Sequence, residues 1–171
     1  MKENKIIIMN QFEKISKAQY LADLPSNPDV NWVEYEDIKL PKRGTKYSAG
    51  YDFFLTRDIS LKPGETVKIP TGIKACLDED KFLAIVPRSG LGFKFRLQLD
   101  NTIGIIDADY INAENEGHIW IKITNDSRED KIVELEAGKA FAQGIILPYF
   151  TTIDDDADGE RTGGFGSTDK K

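Results

Sequence analysis

The chain has 171 residues, 40% hydrophobic and 30% charged, a globular balance sized for a single core of ordinary domain dimensions. Its formal net charge of −6 argues against sequence-independent nucleic-acid binding, which needs many Lys and Arg to neutralise phosphates, so any anionic ligand has to meet a local cationic pocket. No run approaches the roughly 20 apolar positions that cross a bilayer, so no membrane partner is expected, and a single cysteine, Cys76, allows no intrachain disulfide and suits a reducing cytoplasm.

Residues 1–31 read as an N-terminal extension. The apolar run Ile6-Ile7-Ile8-Met9 behind a charged start is far too short for the core of a signal peptide. Over residues 10–24, Phe12, Ile15, Tyr20, Leu21 and Leu24 are spaced for the apolar face of a short helix packed on the body. Residues 32–150 then read as an all-β core of short strands, without a long 3.6-residue periodicity. Val67, Ile69, Ile73, Ala75 and Leu77 alternate around Pro70-Thr71-Gly72, and Ile119, Ile121 and Ile123 repeat the alternation, the pattern of half-buried strands. Lys62-Pro63-Gly64-Glu65 and Ala137-Gly138-Lys139 supply turns, Pro fixing φ and Gly tolerating a positive one. Many short strands suggest a jelly roll or sandwich. Residues 151–171 form a C-terminal arm whose Asp-rich start and Gly-rich end have the composition of a flexible terminus.

Three fragments carry candidate chemistry. Pro87-Arg88-Ser89-Gly90 follows the apolar run 82–86 and offers a guanidinium, a hydroxyl and backbone N–H groups, all of which bind phosphate; taken alone, it reads sooner as an ordinary loop with a surface arginine. Gly104-Ile105-Ile106-Asp107-Ala108-Asp109-Tyr110 places two carboxylates and a phenol after an apolar pair, which a solvated turn explains equally well. In the arm, Phe165 stands among Gly163, Gly164 and Gly166, with Ser167 and Thr168 beside it. An aromatic on a glycine-rich segment suits stacking on a base under a closing lid, with a linker as the competing reading. His118, the sole histidine, has no second His or Cys at ligand spacing and reads as a strand or rim residue rather than a metal ligand.

In this order the fragments resemble the five motifs of the trimeric dUTPase family, over residues 49–168. The first is Ala49-Gly50-Tyr51-Asp52, the second Pro87-Arg88-Ser89-Gly90-Leu91-Gly92, and the third spans residues 101–110. The fourth is Gly138-Lys139-Ala140-Phe141-Ala142-Gln143, and the fifth runs from Arg161 through Thr168. The resemblance implies a distorted, β-clip-like jelly roll assembled as a homotrimer, each site drawing motifs from three chains. It implies hydrolysis of dUTP to dUMP and pyrophosphate, which limits uracil incorporation into DNA and supplies dUMP for thymidylate synthesis. Asp107 falls on the family's catalytic carboxylate, which deprotonates the water attacking the α-phosphorus and accepts the deoxyribose 3′-OH. Arg88, Ser89, Gly90, Gln143, Arg161, Ser167 and Thr168 fall on phosphate contacts. Asn101, Ile105 and Ile106 fall on the hairpin whose backbone reads uracil, Tyr110 on the ring that leaves a ribose 2′-OH no room, and Phe165 on the ring that stacks over the base. Mg²⁺ is implied as a cofactor held by the phosphates and by water without direct protein ligands, because it sheds water reluctantly; Asp52 is expected to act on a metal-bound water or on Arg88, or as a structural carboxylate in a turn.

The chain departs from the family pattern in two places. Residues 111–117 form a longer, more acidic segment after Tyr110, and Asp169 stands where a glycine is common. Two other functions compete with hydrolysis. A dCTP deaminase of the same fold requires a glutamate where Lys122 stands in Gly117-His118-Ile119-Trp120-Ile121-Lys122-Ile123, and an ammonium cannot shuttle that proton. The other is a non-catalytic nucleotide-sensing or protein-binding module, against which an intact Asp107 and Tyr110 favour catalysis.

Overall fold

The alternation around Pro70-Thr71-Gly72 becomes two strands, β5 (Thr66–Pro70) and β6 (Ile73–Cys76), in a computed structural model that describes residues 10–164. Between them Gly72 takes a positive φ of 74°, a conformation open to glycine without steric cost. Upstream, Gly64 (φ 84°) and a hydrogen bond from Glu65 N–H to the Lys62 carbonyl at 3.0 Å close the expected Pro-Gly turn, with glycine at its third position as a type II turn requires. Strand β10 (Trp120–Asn125) pairs antiparallel with β5, setting Ile121 opposite Ile69 and Ile123 opposite Val67. Strand β8 (Leu97–Leu99) pairs with the other edge of β10, Leu99 opposite Ile123. Period-2 alternation sends these residues to one face, and Ile69, Leu97, Ile121 and Ile123 are buried.

A five-stranded antiparallel sheet carries the candidate chemistry. Its order is β2 (Lys42–Arg43), β3 (Tyr51–Phe54), β12 (Ala140–Pro148), β7 (Lys81–Pro87) and β9 (Gly104–Asp107). A register shift between Ala140 and Ala142 marks a bulge in β12, which leaves Phe141 outside the pairing and fully buried in the core. Gly144 lies where a Cβ would come within 2.8 Å of Leu83 and 3.0 Å of Phe53, so β12 passes tightly over the core there. A short pair, β4 (Ile59–Leu61) with β11 (Val133–Leu135), completes one end. Nearby, buried Asn125 donates to the Leu61 and Lys131 carbonyls at 2.8 Å each, meeting the requirement that a buried amide be bonded.

The extension differs from the continuous helix expected over residues 10–24. Residues Gln11–Lys14 form a strand, β1, paired antiparallel with β6. The helix, α1, runs only over Lys17–Asp23. It begins where Ser16 supplies an N-cap, its hydroxyl accepting from Gln19 N–H at 3.1 Å, one of the orphan donors of a first turn. Phe12 packs against Tyr51 and Phe53, and Ile15 and Tyr20 belong to the same buried cluster as the strands. A second short helix, α2 (Ser89–Phe95), also departs from expectation, since it replaces the loop read after the strand at Pro87. It has two glycines, Gly90 and Gly92, and no buried residue, so propensity and periodicity both hide it. The described residues are therefore mostly β, with two short α-helices, the jelly-roll-type all-β class the sequence predicts. Among them no helix is long and apolar enough to cross a membrane.

Candidate active site

Asp107 ends β9, the edge strand of the five-stranded sheet, opposite Phe82 of β7. Among the described residues only one edge of β9 is paired, so alternate residues of Gly104–Asp107 turn their N–H and C=O groups away from β7. That open edge borders a slot of about 370 Å³ lined by Asn101, Gly104, Ile105, Ile106, Asp107 and Tyr110, with Trp120, Lys122 and Arg161 on its other walls. Residues 101–110 are thus a turn, an edge strand and a 3-10 turn (Ala108–Asn112) rather than two strands paired with each other. Gly104 lets the strand lie close on the sheet, since a Cβ there would approach Ile85 Cβ to 3.1 Å. Ile106 packs on the core while Ile105 is half exposed.

The Tyr110 ring forms a buried wall of the slot. Its hydroxyl donates to the His118 carbonyl at 3.0 Å and accepts from Asn115 Nδ2 at 3.0 Å. Burial pushes the phenol's pKa up, opposed by the Asn115 bond, so Tyr110 stays neutral and presents an uncharged ring face. Half of the Asp107 side chain remains exposed, and Arg161 Nη2 is ion-paired with its Oδ2. The same guanidinium reaches Asp109 Oδ1 through Nε at 2.6 Å. The Thr162 carbonyl accepts from Glu114 N–H at 3.3 Å, and Gly164 lies against Tyr110, where a Cβ would sit 2.8 Å from the ring. Residues 161–164 therefore lie over the slot of their own chain. Phe165, Ser167 and Thr168, expected at the same site, lie outside the described residues.

A second cleft, of about 480 Å³, is lined by Gly50, Asp52, Arg88, Ser89, Gly90 and Gln143, together with Gly44, Ser48 and Leu91. Three strands converge to build it. Asp52 on β3 pairs opposite Gln143 on β12, and β12 lies beside the end of β7 that leads into Arg88. Arg88 is held by Asp52 through Nε at 3.0 Å and by the Ala140 carbonyl at 3.3 Å, which leaves other N–H donors of its fork for an anion. Gln143 donates to the Pro87 carbonyl at 3.0 Å, and its Oε1 occupies the space a Cβ on Gly50 would need. Ser89 and Gly90 open α2, where the first backbone N–H groups have no partner within the helix. No residue lines both this cradle and the slot.

Sequence reasoning missed Trp120, Lys122 and Asn115 as parts of the site. The signal for the first two lies in the alternation itself, since burying Ile119, Ile121 and Ile123 turns Trp120 and Lys122 to the opposite face. Lys122 Nζ is ion-paired with Asp100 at 2.7 Å, so where a deaminase needs a proton-shuttling carboxylate there is a paired cation. His118 is fully buried, its Nε2 accepting from Gly72 N–H at 2.8 Å and its Nδ1 lying 2.6 Å from Asp23. Among the described residues no group of three or more His, Cys, Asp or Glu is placed to hold a metal ion.

Fold and site together define a mostly β protein of the jelly-roll type, with a slot beside a carboxylate and an arginine cradle apart from it. Residues 36–169 match the family model described as dUTPase, and the chain belongs to the dUTPase family. It is 40% identical over 134 residues to the deoxyuridine 5′-triphosphate nucleotidohydrolase of Lactococcus lactis subsp. lactis, covering 77% of this chain and 88% of that protein. It is 37% identical over 142 residues to the protein of the same name from Hydrogenovibrio crunogenus, covering 78% and 88%. The crystal structure of dUTPase from Streptococcus mutans superposes with a TM-score of 0.63 at 34% identity, over 83% of this chain and 98% of that one. A phage phi11 dUTPase of S. aureus, described with a structural Mg(II) ion, shares the fold at 22% identity and a TM-score of 0.61.

Proposed function

We infer that this chain hydrolyses dUTP to dUMP and pyrophosphate, an activity that limits uracil incorporation into DNA and supplies dUMP for thymidylate synthesis. The observation that carries the reading is Asp107 at the mouth of a slot walled by the open edge of β9 and the neutral ring of Tyr110, in a chain that belongs to the dUTPase family. Uracil enters against the backbone of Ile105 and Ile106, with Asn101 at the turn beside them. Strand edges present fixed donors and acceptors, and the packed Gly104–Ile85 contact resists the widening that a thymine methyl would require. The deoxyribose rests on Tyr110, whose ring fills the volume a 2′-OH needs.

Asp107 accepts the 3′-OH and takes a proton from a water. That water attacks the α-phosphorus, and the bond from phosphorus to the bridging oxygen breaks, releasing pyrophosphate. A general base contributes about 10²–10⁴-fold; alignment of water and phosphorus does much of the remainder. Arg88, Ser89, Gly90 and Gln143 hold the phosphate chain, and Arg161, Ser167 and Thr168 join them as the arm closes with Phe165 over the base. An Mg²⁺ ion would be held by phosphate oxygens and water, because it sheds water reluctantly, with Asp52 engaged by Arg88 beside the phosphate cradle. Its charge, when bound, eases the development of negative charge on the leaving pyrophosphate.

We further propose a homotrimer with sites shared between chains. Slot and cradle share no lining residue, and Ile105, Tyr149, Phe150 and Ile153 leave large apolar side chains in water on a lone chain, the kind of surface that assembly covers. The lone thiol suits a cytoplasmic setting. The deciding experiment is pyrophosphate release from dUTP with Mg²⁺, with dTTP, dCTP and UTP as controls. Release from dUTP alone is expected, and ammonia from dCTP would reinstate deamination.

A further inference from the structure

Helix α1 grips the loop of residues 111–118 at both of its ends. At the start, Ser16 donates its backbone N–H to Glu116 Oε2 at 2.7 Å and its hydroxyl to Glu116 Oε1 at 2.6 Å. Glu116 thus takes, from across the fold, the place that a glutamate in the helix's own first turn holds in a capping box. At the other end, Asp23 Oδ2 lies 2.6 Å from His118 Nδ1. The buried His118 Nε2 accepts from Gly72 N–H, so the one proton of the neutral ring sits on Nδ1 and is donated to Asp23. The backbone carbonyl of His118 in turn accepts the Tyr110 hydroxyl, and Asn115 donates to both that hydroxyl and that carbonyl, the latter at 3.4 Å. Among the described residues, both partners of the Tyr110 hydroxyl therefore belong to the segment that α1 holds. Residue 23 precedes the family match at 36–169.

We propose that Asp23 is a positioning residue for the sugar wall: by fixing the His118 ring it fixes the carbonyl on which Tyr110 rests, and the N-terminal extension thereby sets discrimination between deoxyribose and ribose. The inference rests on the reading of Tyr110 as the sugar gate. A purely stabilising role for α1 makes a different prediction, because it changes melting without changing the ratio of two substrates. With the full chain, kcat/KM is measured for dUTP and UTP in wild type, Asp23→Ala, Asp23→Asn, Glu116→Ala and Tyr110→Ala. Asp23→Ala is expected to raise the UTP-to-dUTP ratio on the order of 3- to 30-fold, the scale of coupling through one packed network. Asp23→Asn restores the wild-type ratio because its amide oxygen accepts the same N–H. Glu116→Ala shifts the ratio in the same direction and carries the comparison if Asp23→Ala does not fold.

An unchanged ratio in Asp23→Ala beside a raised one in Tyr110→Ala overturns the positioning role and leaves the gate standing; silence in Tyr110→Ala overturns both. The sole histidine also gives a readout independent of turnover. Adding dUMP is expected to shift the ring ¹⁵N and Nδ1–H signals of His118 in the wild type, and signals that do not move overturn the proposal.

Discussion

Asp107 and Arg161 meet as a close ion pair at the slot mouth. The same guanidinium also holds Asp109, and on the proposed reading the phosphates of dUTP compete with both carboxylates for it. Asp107→Asn keeps the shape and removes the base, so kcat for dUTP is expected to fall about 10²–10⁴-fold while KM changes little; steady-state pyrophosphate release reads both. His118 supplies a second prediction. Burial lowers its pKa from the usual 6.5, against the opposing pull of Asp23. The folded chain thus keeps a neutral ring where the unfolded chain takes up a proton. More protons on the unfolded side means stability rises with pH: the His118 contribution is fully present above about 6.5 and is lost as pH falls below it. Denaturant midpoints at pH 5.5 and 8 are expected to differ more in wild type than in His118→Asn.

At the scale of elements, the N-cap of α1 is unusually well connected, since Ser16 both caps Gln19 and donates to Glu116. Ser16→Ala is expected to cost about 1 kcal/mol through the lost cap, read as a shift in the denaturant midpoint. Here the sequence was only partly legible. The apolar spacing from Phe12 to Leu24 announced a segment packed on the body, but a helix propensity computed over those residues does not see that β6 offers a free edge to Gln11–Lys14. Pairing with a strand some sixty positions away is a tertiary choice that overrides local preference. Likewise α2 forms directly after the end of β7, with Arg88 as its N-cap, despite the weak propensities of Gly90 and Gly92. By contrast β5, β6 and β10 were plain in the alternation, because one buried face imposes a period of two.

The molecule as a whole separates its slot from its cradle and keeps residues 151–160 outside the core: they are exposed and contribute none of the buried cluster. Truncation after Gly159 is therefore expected to leave melting temperature and oligomeric state near wild type, by calorimetry and light scattering, while turnover collapses for want of Arg161 and the residues beyond it. What the sequence alone determined were the alternating strands β5, β6 and β10, the all-β class and the family; Asp107, Tyr110, Arg88, Gln143 and the arm are proposed from it, because each lies in a short contiguous motif. Only the tertiary structure decided that Trp120 and Lys122 face the slot, that the acidic segment after Tyr110 is a clasp for α1, and that buried His118 links Asp23 to the Tyr110 wall. Those relations join residues up to a hundred positions apart through one or two hydrogen bonds, and nothing in a local pattern of hydrophobicity or turn chemistry encodes which distant partner a side chain will meet.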